Sequence, residues 1–176
     1  MNPWKSKATI EENPVGLPRE VASKLVPELD RHLASLFTLF HQVQKHHWLV
    51  EGPQFMDLHK VLQEHYEELH EEADRIAERI TALGGIPTSA PQEQARLSYV
   101  EHEPEGAFRV RAMLERDREH EGQIARKVRA TIKLAADAGD YGTAQLLSEI
   151  LLEVEDRAHH LDHFLGGDSL EMGIER

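Results

Sequence analysis

Four stretches of helical apolar spacing, each closed by glycine, constrain this chain more than any other feature. The first opens at Pro18 and carries Val21, Leu25, Leu29, Leu33, Leu36, Phe37, Phe40 and Val43, the three-and-four spacing of one buried helix face. Pro27 falls inside this run, where it removes a hydrogen bond and crowds the preceding turn. A kink or a later start is therefore expected. The helix should reach about Val50 and stop at Glu51-Gly52-Pro53. A second runs from about Pro53 or Gln54 to Leu83, with Gly84-Gly85 as its stop, and proline suits its first turn. A third spans about Pro104 to Ala138 and a fourth Tyr141 to Leu165, ended by Gly139-Asp140 and Gly166-Gly167. Residues 86–102 form a long connection with room for one short helix. Nothing reads as a strand or an internal repeat. The fold class is all-α, a four-helix bundle with one long crossover. Residues 1–17 read as an N-terminal tail docked by Trp4, 18–167 as the bundle and 168–176 as a short polar tail.

The ionisable residues narrow the chemistry. Lys+Arg number 20 against 32 Asp+Glu, a formal net charge of −12. Such a chain repels nucleic acid and anionic membranes and attracts cations. It has no cysteine, which excludes disulfides, thiolate metal sites and cysteine nucleophiles. It has 12 histidines, so any metal must be held by imidazole and carboxylate. No stretch approaches the ~20 apolar residues of a membrane span, and no leader-like segment opens the chain. A soluble, cytoplasmic, unexported protein is expected.

The histidines cluster around one break. KHHWLVEGPQFMDLHKV (45–61) places His47 before Gly52-Pro53 and His59 after it, so a tight turn brings them together. At about 100° per residue, His59, Glu67, Glu71, Asp74 and Glu78 fall on one flank of the second helix. Like charges this close are unfavourable unless a cation screens them. Mixed imidazole and carboxylate donors suit iron(II), and zinc nearly as well. His59 and Glu78 lie about 28 Å apart along the helix axis, too far to share one ion within a chain. If they act together, antiparallel pairing of two second helices supplies the carboxylates and makes two equivalent sites.

At this point the sequence resembles the Dps mini-ferritins. HHW (46–48), VEG (50–52), Phe55, LH (58–59), Asp74, Glu78-Arg79 and LGG-P (83–87) carry the resemblance. It covers the first two helices closely and the rest in outline, and EDRAHHLDHFL (155–165) looks like the halophilic-archaeal type. The resemblance implies a ferritin-like bundle assembled into a hollow dodecamer. It implies a ferroxidase that takes His47 and His59 from one subunit and Asp74 and Glu78 from its two-fold partner. Iron(II) would be oxidised by hydrogen peroxide, or less readily oxygen, and stored as ferric mineral, which protects against oxidative damage. One position departs. The family usually has Asp four residues after the second histidine, and this chain has Gln63. A neutral amide is a weaker ligand, so the second metal position would be weak or would use Glu64 or water.

Each assignment has a plainer reading. His46 points about 100° from His47 and reads as a surface residue or a support to the site. Trp48 reads as core packing or as a radical trap beside the site. Glu64, Glu67 and Glu71 read as a solvated face or as a cavity face that nucleates mineral. Asp156, His159, Asp162 and His163 could make a metal site or line an iron entry path, against a wet helix end. A larger-ferritin or rubrerythrin-like di-iron site inside the bundle needs Glu-x-x-His on two helices. Glu67-x-x-His70 fits once, and Asp117-x-x-His120 and Asp156-x-x-His159 substitute Asp. A DNA-compacting Dps with little iron role is the other alternative. The N-terminal tail offers it only Lys5 and Lys7, and the C-terminal tail is acidic apart from Arg176, so DNA binding should be weak or absent.

Overall fold

The computed structural model describes residues 3–166. The C-terminal tail at 168–176 lies outside the described residues. Five helices follow one another, α1 Arg19–Leu49, α2 Phe55–Ala82, α3 Pro91–Leu97, α4 Val110–Asp137 and α5 Tyr141–Leu165. Among the described residues there is no strand. Helices α1 and α2 pair closely, as do α4 and α5, and α1 packs on α4 to join the two hairpins. The short α3 rides in the crossover against α1. Leu25, Leu29, Leu33, Leu36 and Leu39 of α1 meet Leu58, Leu62, Leu69, Ile76 and Ile80 of α2 in the core. From the other hairpin come Ile124, Val128, Leu147, Ile150, Val154 and Leu161.

Two boundaries differ from those expected. Helix α1 begins at Arg19 and runs on through Pro27. Leu25, Val26 and Leu29 are buried on both sides of that proline. Their burial offsets the roughly 3 kcal/mol that a helix-interior proline costs. Helix α4 begins at Val110 rather than near Pro104. Side chains of α1 hold the preceding segment extended. Gln42 Oε1 accepts from the Glu103 N–H at 3.1 Å, and Lys45 Nζ donates to the Pro104 carbonyl at 3.1 Å. Gly106 then takes φ +136°, which no helix tolerates.

The N-terminal segment docks, but not by Trp4, which is 93% exposed. Its lysines do the holding. Lys5 Nζ donates to Glu11 at 2.9 Å and to the Gly84 carbonyl at 3.4 Å. Lys7 Nζ donates to Asp30 and to the Ile86 carbonyl, both at 2.8 Å. Glu11 also donates its backbone N–H to the Gly84 carbonyl at 3.1 Å. The approach is close enough to need glycine, since a Cβ on Gly84 would sit 2.5 Å from the Glu11 carbonyl oxygen. Ile10 and Leu17 pack against the core, so residues 5–17 form a strap across the end of the first hairpin.

Buried histidines set the acid limit of this fold. His32 is hydrogen-bonded through both ring nitrogens, to the Tyr99 hydroxyl at 2.7 Å and the Thr131 hydroxyl at 2.8 Å. Burial, then the charges of Arg31 and Lys127, lowers its pKa to about 4. Burial, then Arg157 and His160, lowers that of His65 to about 3. Both rings are neutral when folded and protonate near pH ~6.5 when unfolded. Between those values the unfolded chain binds more protons. The stabilisation is therefore complete above about pH 6.5 and is lost as pH falls toward 4 for His32 and 3 for His65. Urea midpoints should drop across that window, and His32→Gln should flatten the drop. A His32→Gln profile as steep as wild type would contradict this account.

Candidate metal centre

The turn 50–54 brings the last residues of α1 over the first turns of α2. Gly52 makes it possible by adopting φ +101°, a left-handed conformation that costs glycine little. His47 and His59 then stack, ring centroids 3.7 Å apart and planes 21° from parallel. Their hydrogen bonds are reciprocal. His47 Nδ1 lies 2.7 Å from the His59 carbonyl oxygen, and His59 Nδ1 lies 2.9 Å from the His47 carbonyl oxygen. A carbonyl only accepts, so each Nδ1 carries hydrogen, and the neutral tautomer that this bond selects has its lone pair on Nε2. Histidine ligands are ordinarily oriented in this way, with the other ring nitrogen donating to the protein. Tyr66 stands edge-on to His47 at 5.3 Å, and Phe55 tilts over His59 at 4.9 Å.

The carboxylates on the same helix are elsewhere. Asp74 and Glu78 are exposed on the second half of α2, about 22 and 28 Å from His59 along the axis. Gln63 donates to Glu67 at 2.7 Å, and Glu64 pairs with Lys60 at 3.7 Å. Glu64, Glu67 and Glu71 are all exposed. Among the described residues, no three metal-donor side chains come together in one chain. The stacked histidines thus present two donor atoms and no third. Trp48 is 67% exposed, so it is not core packing. Leu49, Phe55 and Met56, its neighbours around the turn, are exposed as well, and Phe55 lies against His59.

Other sequence clusters fare differently. His159 and His163 are exposed with rings 4.3 Å apart, while Asp162 pairs with Arg118 at 2.5 Å. Glu67 and His70 are exposed, as are Asp156 and His159, whereas Asp117 and His120 are buried. The three half-motifs of an intra-bundle di-iron centre therefore do not face one another.

His46 is not a surface residue. It is fully buried, with Nδ1 2.7 Å from Asp117 and Nε2 3.1 Å from Glu103. Burial opposes its charge, yet hydrogen bonding and charge from Asp117, then Glu103, raise its pKa. Burial likewise opposes ionisation of Glu103, and Lys45 and His46 reverse that and lower its pKa. Gln42 Nε2 completes the group by donating to Asp117 at 2.8 Å and to His120 Nδ1 at 3.2 Å. The group joins α1, the crossover and α4 behind His47. Sequence reasoning missed it, although Gln42 adjoins Val43 on the apolar stripe of α1 and a polar residue there signals a buried partner.

The comparisons with known proteins bear on the whole chain. A family model described as a ferritin-like domain matches residues 27–170. A DNA protection during starvation protein of Halobacterium salinarum is 42% identical over 149 residues, 85% of this chain and 82% of that protein. This chain belongs to the Dps family of ferritin-like proteins. A nutrient stress-induced DNA-binding protein of Nostoc is 39% identical over 94% of this chain and 90% of its own length. The crystal structure of an archaeal Dps homologue from Halobacterium salinarum superposes with a TM-score of 0.92. It is 37% identical and covers 97% of this chain and 95% of its own. The bundle, its long crossover and the paired hairpins are thus those of the Dps fold, and the family resemblance read from 46–87 holds along most of the sequence. No helix of the described residues is long and apolar enough to cross a membrane.

Proposed function

We propose that this chain is a cytoplasmic ferroxidase and iron-storage subunit, assembled as a dodecamer, whose iron sites lie between two-fold-related subunits. The observation that carries the reading is the stacked pair His47 and His59, with both Nδ1 atoms committed to carbonyls and both Nε2 lone pairs free to bind a cation. Asp74 and Glu78 of the partner would complete each site. Neutral imidazoles accept iron(II), and the anionic carboxylates favour the more highly charged product ion. Each hydrogen peroxide takes one electron from each of two iron(II) ions and leaves as water or hydroxide, so no hydroxyl radical forms. Oxygen is the slower oxidant. Gln63 offers a neutral amide where the family usually has a carboxylate, so one iron position binds weakly and the other tightly. Zinc would compete for the tight one. Glu64, Glu67 and Glu71, exposed on α2, would face the cavity and nucleate ferric mineral. His159 and His163, exposed near the end of α5, would lie on an iron entry path.

Mixed shells test the shared site. One variant carries His47→Ala and His59→Ala, the other Asp74→Asn and Glu78→Gln, and the two are co-expressed. In a random mixture half of the two-fold pairs are mixed, and each mixed pair has one complete site of two. Activity should return to about a quarter of wild type. If mixed shells are as inactive as either parent, the two halves do not meet across an interface.

The two relatives are named for DNA, but the strap argues against strong binding here. Lys5 and Lys7 are tied to Glu11, Asp30 and two backbone carbonyls, and the chain is acidic overall. Duplex DNA should show no mobility shift at an ionic strength of about 0.15 M. A clear, salt-sensitive shift there would contradict the reading.

A further inference from the structure

Two buried polar networks tie the helices of this bundle together. In one, Arg157 of α5 donates to Glu121 of α4 at 2.7 Å and to Glu72 of α2 at 3.0 Å. All three side chains are buried, and their charges close on one another inside the bundle. The other network lies behind His47. One carboxylate in it, Glu103, takes hold of two successive residues at the end of α1. Its Oε1 accepts from Lys45 Nζ at 2.7 Å, and its Oε2 stands within ion-pair distance of His46 Nε2, at 3.1 Å. A third tie comes from one turn earlier, where Gln42 Oε1 accepts the Glu103 N–H at 3.1 Å. Lys45 is held in turn by the Pro104 carbonyl at 3.1 Å and lies 5.2 Å from the centre of the Phe108 ring. Glu103 is buried, in the extended segment that precedes α4.

The grip falls where α1 carries its metal donor. The helix ends at Leu49, two residues past His47. The last four carbonyls of a helix have no partner within it, and helix ends fray. Here the His46 carbonyl accepts the Val50 N–H at 2.8 Å, and the His47 carbonyl accepts from His59 Nδ1 at 2.9 Å. A ligand on such a turn is only as well placed as the turn itself, and a site needs its groups held to within about 0.5 Å. The stacked pair cannot anchor itself, because each ring leans on the other residue's carbonyl. The anchor must come from outside the pair.

We infer that Glu103, carried by the crossover, is a positioning residue of the metal centre. By holding Lys45 and His46 on one carboxylate, it fixes the rotation and height of the last turn of α1 and so the place of His47. Glu103 bonds to neither ring of the pair and acts only through its neighbours. Asp117 holds the other nitrogen of His46 at 2.7 Å, but it grips that one residue alone and from α4. The inference rests on the reading of His47 and His59 as iron ligands.

The probe is cobalt(II) alone, titrated into the full chain and followed by the part of its visible absorption that is lost when His47→Ala and His59→Ala are made together. Glu103→Gln keeps the volume and the backbone bond to Gln42 but turns an amide N–H toward a donor. Loss of a group that orients a metal ligand costs 10–100-fold in affinity. Glu103 stands one link further back, so cobalt(II) binding should weaken by about 10-fold. Val128→Ala, a core truncation on α4, lowers the melting temperature with the grip intact, and should leave the affinity unchanged. Lys45→Met removes one of the two ties to the carboxylate and should weaken binding in the same direction, by less. Wild-type affinity in Glu103→Gln overturns the inference, and so does an equal weakening in Val128→Ala. Should Glu103→Gln not fold, Lys45→Met decides: wild-type affinity there, or failure of that chain to fold as well, overturns it. If instead no cobalt(II) absorption depends on His47 and His59, the metal reading itself fails and the inference falls with it.

Discussion

Replacing His47 and His59 together by alanine should slow initial iron(II) oxidation by at least about 100-fold. Loss of residues that merely support metal ligands typically costs 10–100-fold, and here the donor atoms themselves disappear. The two side chains form a unit, because each Nδ1 is anchored on the other residue's carbonyl. A single replacement therefore removes one donor and also releases one of the two bonds that fix the turn. The single variants should each lose most of the activity, and their effects should not add. Stability should change far less. The rings sit at the edge of the core, and each neutral hydrogen bond contributes about 1 kcal/mol. The measurement is the growth of ferric absorbance after adding hydrogen peroxide to iron(II)-loaded protein, alongside a thermal melt. A double variant that oxidises iron at the wild-type rate would remove the pair from the site.

Asp117→Ala should cost about 3–5 kcal/mol of stability. Asp117 is 1% exposed and accepts from both Gln42 and His46. Its carboxylate is the first of two that favour the charged imidazole of His46. Removing it leaves that ring and a Gln42 N–H facing a cavity that holds no acceptor. The cost falls on the α1–α4 contact, because Asp117 lies on α4 and its partners on α1. For a domain of this size the thermal midpoint should fall by roughly 10 °C. Asp117→Asn keeps the volume but turns an N–H toward one of two donors, so an intermediate fall is expected. An Asp117→Ala melt within a degree or two of wild type would show that the network carries no net stability.

Much of the fold was legible because period and punctuation agreed. The α1 stripe and the glycines at 52, 84 and 139 placed four helix ends within a few residues. Pro27 and Pro104 misled because local propensity was weighed without tertiary context. Around Pro27 the buried leucines override a poor helix residue, and after Pro104 the side chains of α1 satisfy an extended backbone before any helix can claim it. The His47–His59 convergence followed from a turn length. The two polar networks did not, since Asp117, Glu121 and Arg157 look like ordinary charged positions until their helices are set side by side. Glu72 was the available hint, because it sits on the same face as Leu69 and Ile76, where an amphipathic helix should be apolar.

The strap at residues 5–17 has a consequence for the order of events on the ribosome. It is made first but is held by Gly84 and Ile86, 79 residues further along. It cannot close until the whole first hairpin has emerged and α2 has ended. A contact of such long sequence separation forms late, after the local helical pairing that dominates folding of bundles. Interactions formed after the rate-limiting step do little to speed folding and mainly slow unfolding. The strap therefore acts as a latch on a finished hairpin, lengthening the lifetime of the folded chain without steering how it gets there.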